Sequence, residues 1–391
     1  VPTVRGVEAG VVHDPKAGVL GQHAGSAGLF STIEDLQIFL EHYLRDEFAE
    51  KLSQNFASEP GKTRSLAWNL EGEWLDHTGY TGTFIMYNRA EQKAAIFLSN
   101  RTYEKAVAFA DKHGVARVYD TIDELIAAPD IDVLYLTTPH NTHITYLRKA
   151  LAAGKHVLCE KSITLNSAEL AEARELASTH GVQLMDACTI LHMPLYKELQ
   201  RRIDTGDFGR VNLIQENFGS YKEYDMKNRF FNPELAGGAL LDIGVYSLTL
   251  ARLFLKSQPH EALSMMNPAP TGTDETEGIL LRNAEGQMVV LSLTMHSKQP
   301  KRAMISADKA YLEIMEYPRA DRASIVWTET GVREELQVGN TVQALSYVLA
   351  DMERAVAGNE YARAQLGTSA DVMELMTNLR ADWNFKYPEE L

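Results

Sequence analysis

The chain reads as an α/β protein. A truncated Rossmann-like doubly wound parallel sheet is followed by an α+β domain with an open, mostly antiparallel sheet, and a separate α+β stretch precedes both. Three observations predict this. From Glu104, helices alternate with short apolar strands; beyond about 189, β-runs follow one another; and residues 1 to about 100 surround one helix and a hairpin with loops rich in Gly and His.

LFSTIEDLQIFLEHYL places Leu29, Ile33, Leu36, Phe39, Leu40 and Tyr43 on one helical face, with Ser31 and Glu34 spaced as a capping box. TFIMYNRAEQKAAIFLSN is two β-runs about a polar turn, a hairpin. Helix EKAVAFADKHG then ends in a glycine cap, and ARVYD reads as a short strand. The alternation continues through TIDELIAAP, DVLYLTTP, THITYLRKALAAG, HVLCEK, SAELAEARELASTHG and QLMDA. Continuously apolar strands separated by helices imply a parallel sheet covered on both faces. Beyond it VNLIQENFG, EGILLRN, GQMVVLSLTMHS, KRAMISA, AYLEIME and RASIVWTE are β-runs, and helices around 341–357 and 369–381 close the chain. These textures divide the chain at 1–103, 104–188 and 189–391.

A formal charge of -15 without a Lys/Arg run excludes a nucleic-acid partner. The two cysteines, Cys159 and Cys188, form no zinc or disulfide pattern, so a reducing, cytoplasmic setting is expected. No apolar run approaches the roughly 18 to 20 residues that span a bilayer, and VPTVRGVEAG lacks a basic and apolar leader, so no membrane association is expected. The start at Val1 reads as a fragment or processed product.

Glu160 and Lys161 end a strand at the carboxyl edge of the parallel sheet, where ligands sit in such folds. A lysine there can orient a hydroxyl and lower its pKa, although a solvated strand-end charge has the same signature. Asp242 and Tyr246 share a helical face, which serves either proton transfer or an ordinary helix-face hydrogen bond. TTPHNTH follows a strand and opens a helix, as a cofactor-lining loop or a plain capped connection would.

DIDVLYLTTPHNTHITYLRKALAAGKHVLCEKSITLNSAEL, followed by NPELAGGALLDIGVYSLTLA, resembles the Gfo/Idh/MocA family of nicotinamide-dependent oxidoreductases, in the branch of dihydrodiol and xylose dehydrogenases. The resemblance covers roughly residues 100–391. It implies Lys161 as cofactor and substrate anchor, Tyr246 as general acid/base and Asp242 as its partner. It further implies Thr138, Pro139, Asn141, His143 and Glu160 along an NADP or NAD site, with Arg101 available to a 2′-phosphate. Two departures stand out. Ser162 replaces the family's proline, which is expected to loosen Lys161, and Tyr246 stands where many members carry histidine.

The family's first strand and its G-x-G-x-x-G loop are missing from the sequence; HAGSAG, His23–Gly28, only imitates it. GVVHDPKAGVLGQHAGSAGLFSTIEDLQIFLEHYL and DHTGYTGTFIMYNRAEQKAAIFLSNRTYE instead resemble the carboxyl-terminal part of serine β-lactamase-like hydrolases, with His77–Gly79 at the Lys-Thr-Gly position. The required S-x-x-K nucleophile is absent apart from SADK at Ser306, which falls in a β-rich region, so hydrolysis is not expected. Residues around 95–110 therefore look like a seam between the two sequences. The vacated slot is expected to be filled by TFIMYN, with KAAIFLS as a substitute second strand.

The resemblance implies hydride transfer between nicotinamide and a sugar, polyol or diol hydroxyl, impaired by the missing loop. An inactive fusion remnant or binding module is the alternative. A homodimer through the carboxyl-terminal sheet is expected.

Overall fold

The computed structural model describes the backbone of β1 (Asn69–Glu71), β2 (Trp74–Thr78), β3 (Thr83–Asn88) and β4 (Lys93–Leu98), residues 106, 107, 110 and 115, and residues 117–391. The chain divides into two compact units, residues 1–124 and 125–391.

In the first unit β1 to β4 form an antiparallel meander in sequential order. The expected hairpin is there, with Thr83 opposite Leu98 and Asn88 opposite Lys93. Its proposed insertion into the parallel sheet is not. β3 is bonded on both sides within its own meander, by β2 and β4, so its backbone groups are satisfied by sequence neighbours. Residues 117–119 are irregular rather than a strand; with no neighbouring chain to complete a ladder, an apolar run has no reason to be extended. The helix read over 29–43, the His23–Gly28 loop, Gly79 and Arg101 lie outside the described residues.

After α1 (Ile122–Ala127), the second unit opens with β5 (Val133–Leu136), β6 (His156–Cys159) and β7 (Leu184–Asp186), paired in parallel in that order. Among the described residues β5 is an edge, with Val133 40% and Tyr135 37% exposed, as loss of a central first strand would leave it. α2 (His143–Ala152) buries Ile144, Leu147 and Leu151, and α3 (Ser167–Thr179) is capped by the Asn166 side chain, which accepts from the Glu169 N–H at 2.9 Å. The terminal helices α6 (Ala344–Val356) and α7 (Glu360–Asp382) follow the large sheet in sequence, yet α6 returns to cover the parallel strands. Val348 and Met352 pack with Leu158 and Met185 in one core.

The large sheet has eight strands in the order β15-β14-β13-β12-β8-β11-β10-β9, where β10 is Asp274–Arg282, β12 Gln299–Ala307, β13 Ala310–Met315 and β14 Arg322–Trp327. β8 (Val211–Gly219) and β11 (Met288–Thr294) are parallel neighbours, and every other pairing is antiparallel. Six strands coincide with the β-runs read from sequence. The other two, β9 (Glu261–Pro268) and β15 (Arg333–Gln337), are the edges, where largely exposed side chains erase the apolar alternation. Ile214, Phe218, Ile279, Leu291, Leu293 and Ile305 form part of the buried side. α4 (Pro194–Asp204) and α5 (Val245–Phe254) complete the unit.

One stretch, Pro233–Phe254, is long and apolar enough to cross a membrane by length and composition, contrary to the sequence reading. It is 78% buried inside the protein, so its apolarity is accounted for by the core.

Candidate active site

The carboxyl ends of the three parallel strands lie in register, Leu136 beside Cys159 and Cys159 beside Asp186. Two of the turns leaving that edge build the site. After β5, Pro139 takes an extended conformation and starts a 3-10 turn, His140–Thr142, that runs into α2. After β6 come Glu160, Lys161 and Ser162.

The third component arrives from 81 residues further along. Leu240–Gly244 is a π turn leading into α5, not the plain α-helix that the Asp242/Tyr246 spacing predicts. Its start is fixed from outside: Asp274 accepts a 2.6 Å hydrogen bond from the Leu240 N–H. Gly238, at φ +132°, leaves room for that carboxylate, which any β-carbon there would strike. The wider π turn swings Asp242 and Tyr246 toward the same lysine.

Lys161 Nζ donates to the Asp242 carbonyl at 2.5 Å and to its carboxylate at 3.2 Å, and lies 4.8 Å from the Tyr246 ring centroid. Arg229 reaches the same Asp242 oxygen at 3.2 Å from a half-exposed position. Burial alone would raise the Asp242 pKa, but Lys161 and Arg229 hold the carboxyl well below the usual range. Burial would likewise lower the Lys161 pKa; Asp242 and Tyr246 reverse this and raise it. The lysine is a fixed cation. Tyr246 is pushed up to about 12, by burial first, with Lys161 pulling the other way. His140, buried and facing Lys161, is pushed down to about 3 and is neutral at any working pH. Neither the Tyr246 hydroxyl nor the His140 ring takes a hydrogen bond among the described residues. A neutral phenol held against an ammonium, with no hydrogen bond among the described residues, has the chemistry to donate a proton.

The other expected residues lie differently. Ser162 is buried and its hydroxyl donates to the Leu241 carbonyl at 2.8 Å, so it ties the lysine turn to the π turn instead of loosening it. His143 is fully buried, its ring nitrogens 3.0 Å from the Ser162 carbonyl and 2.8 Å from that of Thr138, a brace between the two turns. Asn141 donates to the Glu234 carbonyl at 3.0 Å and to Glu389 at 2.6 Å. Thr138 and Thr142 share a 2.9 Å hydroxyl bond, and the Pro139 carbonyl accepts from Thr142. Glu160 accepts from Tyr135 on the edge strand. His140 and Arg229 were not singled out by sequence. His140 adjoins the expected Asn141, and Arg229 sits in the polar run before the glycines, where no periodicity marks it.

Comparison with known proteins gives three family matches. Residues 78–187 match the oxidoreductase family with an NAD-binding Rossmann fold, and residues 196–313 match the GFO/IDH/MocA C-terminal domain. The trans-1,2-dihydrobenzene-1,2-diol dehydrogenase of Xenopus laevis is 30% identical over 253 residues, 64% of this chain and 75% of that protein. The chain belongs to the GFO/IDH/MocA oxidoreductase family. The dehydrogenase of the same name from Sus scrofa is 28% identical over 253 residues, again 64% and 75% of the two chains. Among solved structures, a 3-ketoreductase from Actinomadura kijaniata in complex with NADP and TDP-benzene aligns with TM-score 0.64 at 22% identity, covering 72% of this chain and 87% of that one. An aldose-aldose oxidoreductase from Caulobacter crescentus complexed with glycerol aligns with the same score and identity, covering 72% and 88%. At that identity the likeness establishes the fold. Residues 2–120 match the beta-lactamase family, as expected, and this match overlaps the Rossmann match over 78–120. The seam read at 95–110 falls inside the overlap.

Proposed function

We propose that this GFO/IDH/MocA member is an NAD(P)-dependent oxidoreductase acting on a secondary hydroxyl or its ketone in a sugar, polyol or diol. One observation carries the reading: Lys161, Asp242 and Tyr246 converge at the carboxyl edge of the parallel sheet, around a phenol hydroxyl with no hydrogen bond among the described residues. The residues present fit the redox end of a nicotinamide cofactor. The carboxyl edge, the uncharged His140 and the 138–141 turn offer it a site, and Lys161 would anchor its ribose alongside the substrate. When bound, the nicotinamide supplies or takes up the hydride.

The protein's own groups move the proton. In the reductive direction Tyr246 donates to the substrate oxygen as negative charge grows there, and Lys161 stabilises both that oxygen and the tyrosinate left behind. Asp242 acts by position: it holds the ammonium between itself and the ring. In the oxidative direction the same groups run in reverse, with tyrosinate as base. The relatives' names, a diol dehydrogenase and an aldose-aldose oxidoreductase, support the substrate class, and the outward face of the large sheet, with Leu263, Met265 and Leu280 exposed, supports self-association.

A second reading rests on the missing G-x-G-x-x-G loop, whose helix amino terminus normally carries the pyrophosphate: a remnant that folds and catalyses nothing. Fluorescence titration separates the two. Saturable NADPH binding at micromolar concentration, weakened in Lys161→Ala, supports the oxidoreductase; no binding at millimolar cofactor supports the remnant. The boundaries 1–103, 104–188 and 189–391 are part of the same proposal, and limited proteolysis across 95–110 tests the first of them.

A further inference from the structure

The residues that follow α7 turn back onto the candidate site, and a buried ion pair holds them there. Arg380, in the last turn of α7 and 2% exposed, donates to the Leu165 carbonyl at 2.6 Å and to both carboxylate oxygens of Glu390. Glu390 also accepts from Asn166, the cap of α3, and from the Tyr387 N–H, each at 2.9 Å. Burial would raise the Glu390 pKa; Arg380 reverses this, and the carboxylate stays charged. A guanidinium this deep needs that partner, so the 3-10 turn Pro388–Glu390 is fixed in place.

From this anchor two side chains reach the polypeptide that builds the site. The fully buried Tyr387 donates its hydroxyl proton to the Gly237 carbonyl at 2.9 Å, just ahead of the π turn. The neighbouring Ala236 sits at φ +53°, a left-handed conformation that alanine rarely adopts, so this approach to the π turn is held from outside. On the other side Glu389 accepts from the Asn141 side-chain amide at 2.6 Å, and the same amide nitrogen donates to the Glu234 carbonyl at 3.0 Å. Both protons of the amide are thereby committed. Its oxygen is buried and has no hydrogen-bond partner among the described residues.

We propose that Glu389 is a positioning residue: it fixes the orientation of the Asn141 amide, so that the Asn141 oxygen is held ready to accept from a hydroxyl or amide N–H of the bound nicotinamide cofactor. This rests on the oxidoreductase reading of the same site. An amide free to turn over would present its donor and its acceptor alternately. A carboxylate on the NH2 group selects one orientation before the ligand arrives, and no affinity is lost to ordering it. The turn that carries Asn141 also carries the buried His140, so Glu389 steadies that ring's backbone as well.

Two measurements on the full chain test this: fluorescence titration with NADPH, and amide hydrogen exchange in the absence of cofactor. Glu389→Ala is expected to weaken NADPH binding about tenfold and to quicken exchange over residues 140–143. Glu389→Gln, which keeps an acceptor oxygen, should restore both. Adding Glu389→Ala to Asn141→Ala should weaken binding no further, because the first substitution acts through the second residue. Tyr387→Phe loosens the same segment on its other side without touching Asn141, and should leave NADPH affinity intact. Unchanged affinity in Glu389→Ala, a full additional loss in the double variant, or an equal loss in Tyr387→Phe overturns the proposal, since Glu389 then only helps to hold the fold. Quicker exchange over 140–143 in Glu389→Ala, in a protein that binds no NADPH, keeps the link from Glu389 to Asn141 and sinks the oxidoreductase reading.

Discussion

Asp242, part-buried, and Asp351, buried, are both carboxylates ringed by cations, and they do different work. Asp351 accepts from Lys197 at 2.8 Å and Arg354 at 2.7 Å, and lies 3.0 Å from His192 Nδ1. It joins α6 to α4 and to the turn after β7, and His192 is bound again through its other nitrogen, 2.8 Å from the Asp186 carbonyl. Burial would raise the Asp351 pKa; His192 and Lys197 hold it well below the usual range, as Lys161 and Arg229 do at Asp242. The electrostatics are nearly the same. What differs is the remaining valence. Each cluster includes a half-exposed arginine, Arg354 and Arg229, but around Asp351 the remaining groups are charged partners of the carboxylate, whereas the Asp242 cluster ends on a phenol with no hydrogen bond among the described residues. A strongly shifted carboxylate therefore marks a site only where its circle of partners stays open at a strand-end edge.

Substitution should pull the two clusters apart. Tyr246→Phe is expected to lower kcat by about 10²–10⁴ with unchanged thermal unfolding, measured by stopped-flow NADPH oxidation and calorimetry. Asp351→Ala should do the opposite: about 3–5 kcal/mol of stability lost in urea unfolding, because Lys197 and His192 are left facing an empty position, with activity per folded molecule retained. A Tyr246→Phe protein that unfolds early, or an Asp351→Ala protein that is stable and inactive, would erase the distinction.

The pH behaviour sharpens it. Oxidation of an alcohol needs tyrosinate, so its rate should climb with pH toward about 12, and Lys161→Met should move that rise upward by about one pH unit, since the lysine lowers the Tyr246 pKa. Stability also rises with pH, but in a window at the acid end of the scale. Asp351 titrates lower folded than unfolded, so its contribution is complete above about pH 4 and is lost on acidification. Asp351→Asn should flatten the acid limb of a melting-temperature profile. The smallest effect belongs to Ser162→Ala. Losing the bond to Leu241 should cost about 1 kcal/mol and leave the pH profile of activity in place.

Much of this was legible in the sequence. The strands ending at Leu136, Cys159 and Asp186 are short continuous apolar runs between helices, a pattern with few other solutions, and Lys161 follows from where the second of them stops. The Asp242/Tyr246 pair was readable as a shared face because a π turn displaces that face without breaking it. Other features left no local trace. Asp274 fixes the π turn from 34 residues away, and His143 braces a turn 19 residues downstream; neither spacing is periodic. Arg229 lies in an irregular segment, where position depends on tertiary contacts that no pattern encodes. The expected filling of the vacated slot by residues 83–88 failed because a hairpin satisfies its backbone with its nearest neighbours first.

The most direct test of the central claim is a single-turnover experiment in which protein loaded with NADPH is mixed with excess ketone substrate, for the unsubstituted chain and for Tyr246→Phe. The account predicts that both bind NADPH equally and that the hydride step is at least about a hundredfold slower without the phenol. Equal single-turnover rates would contradict it.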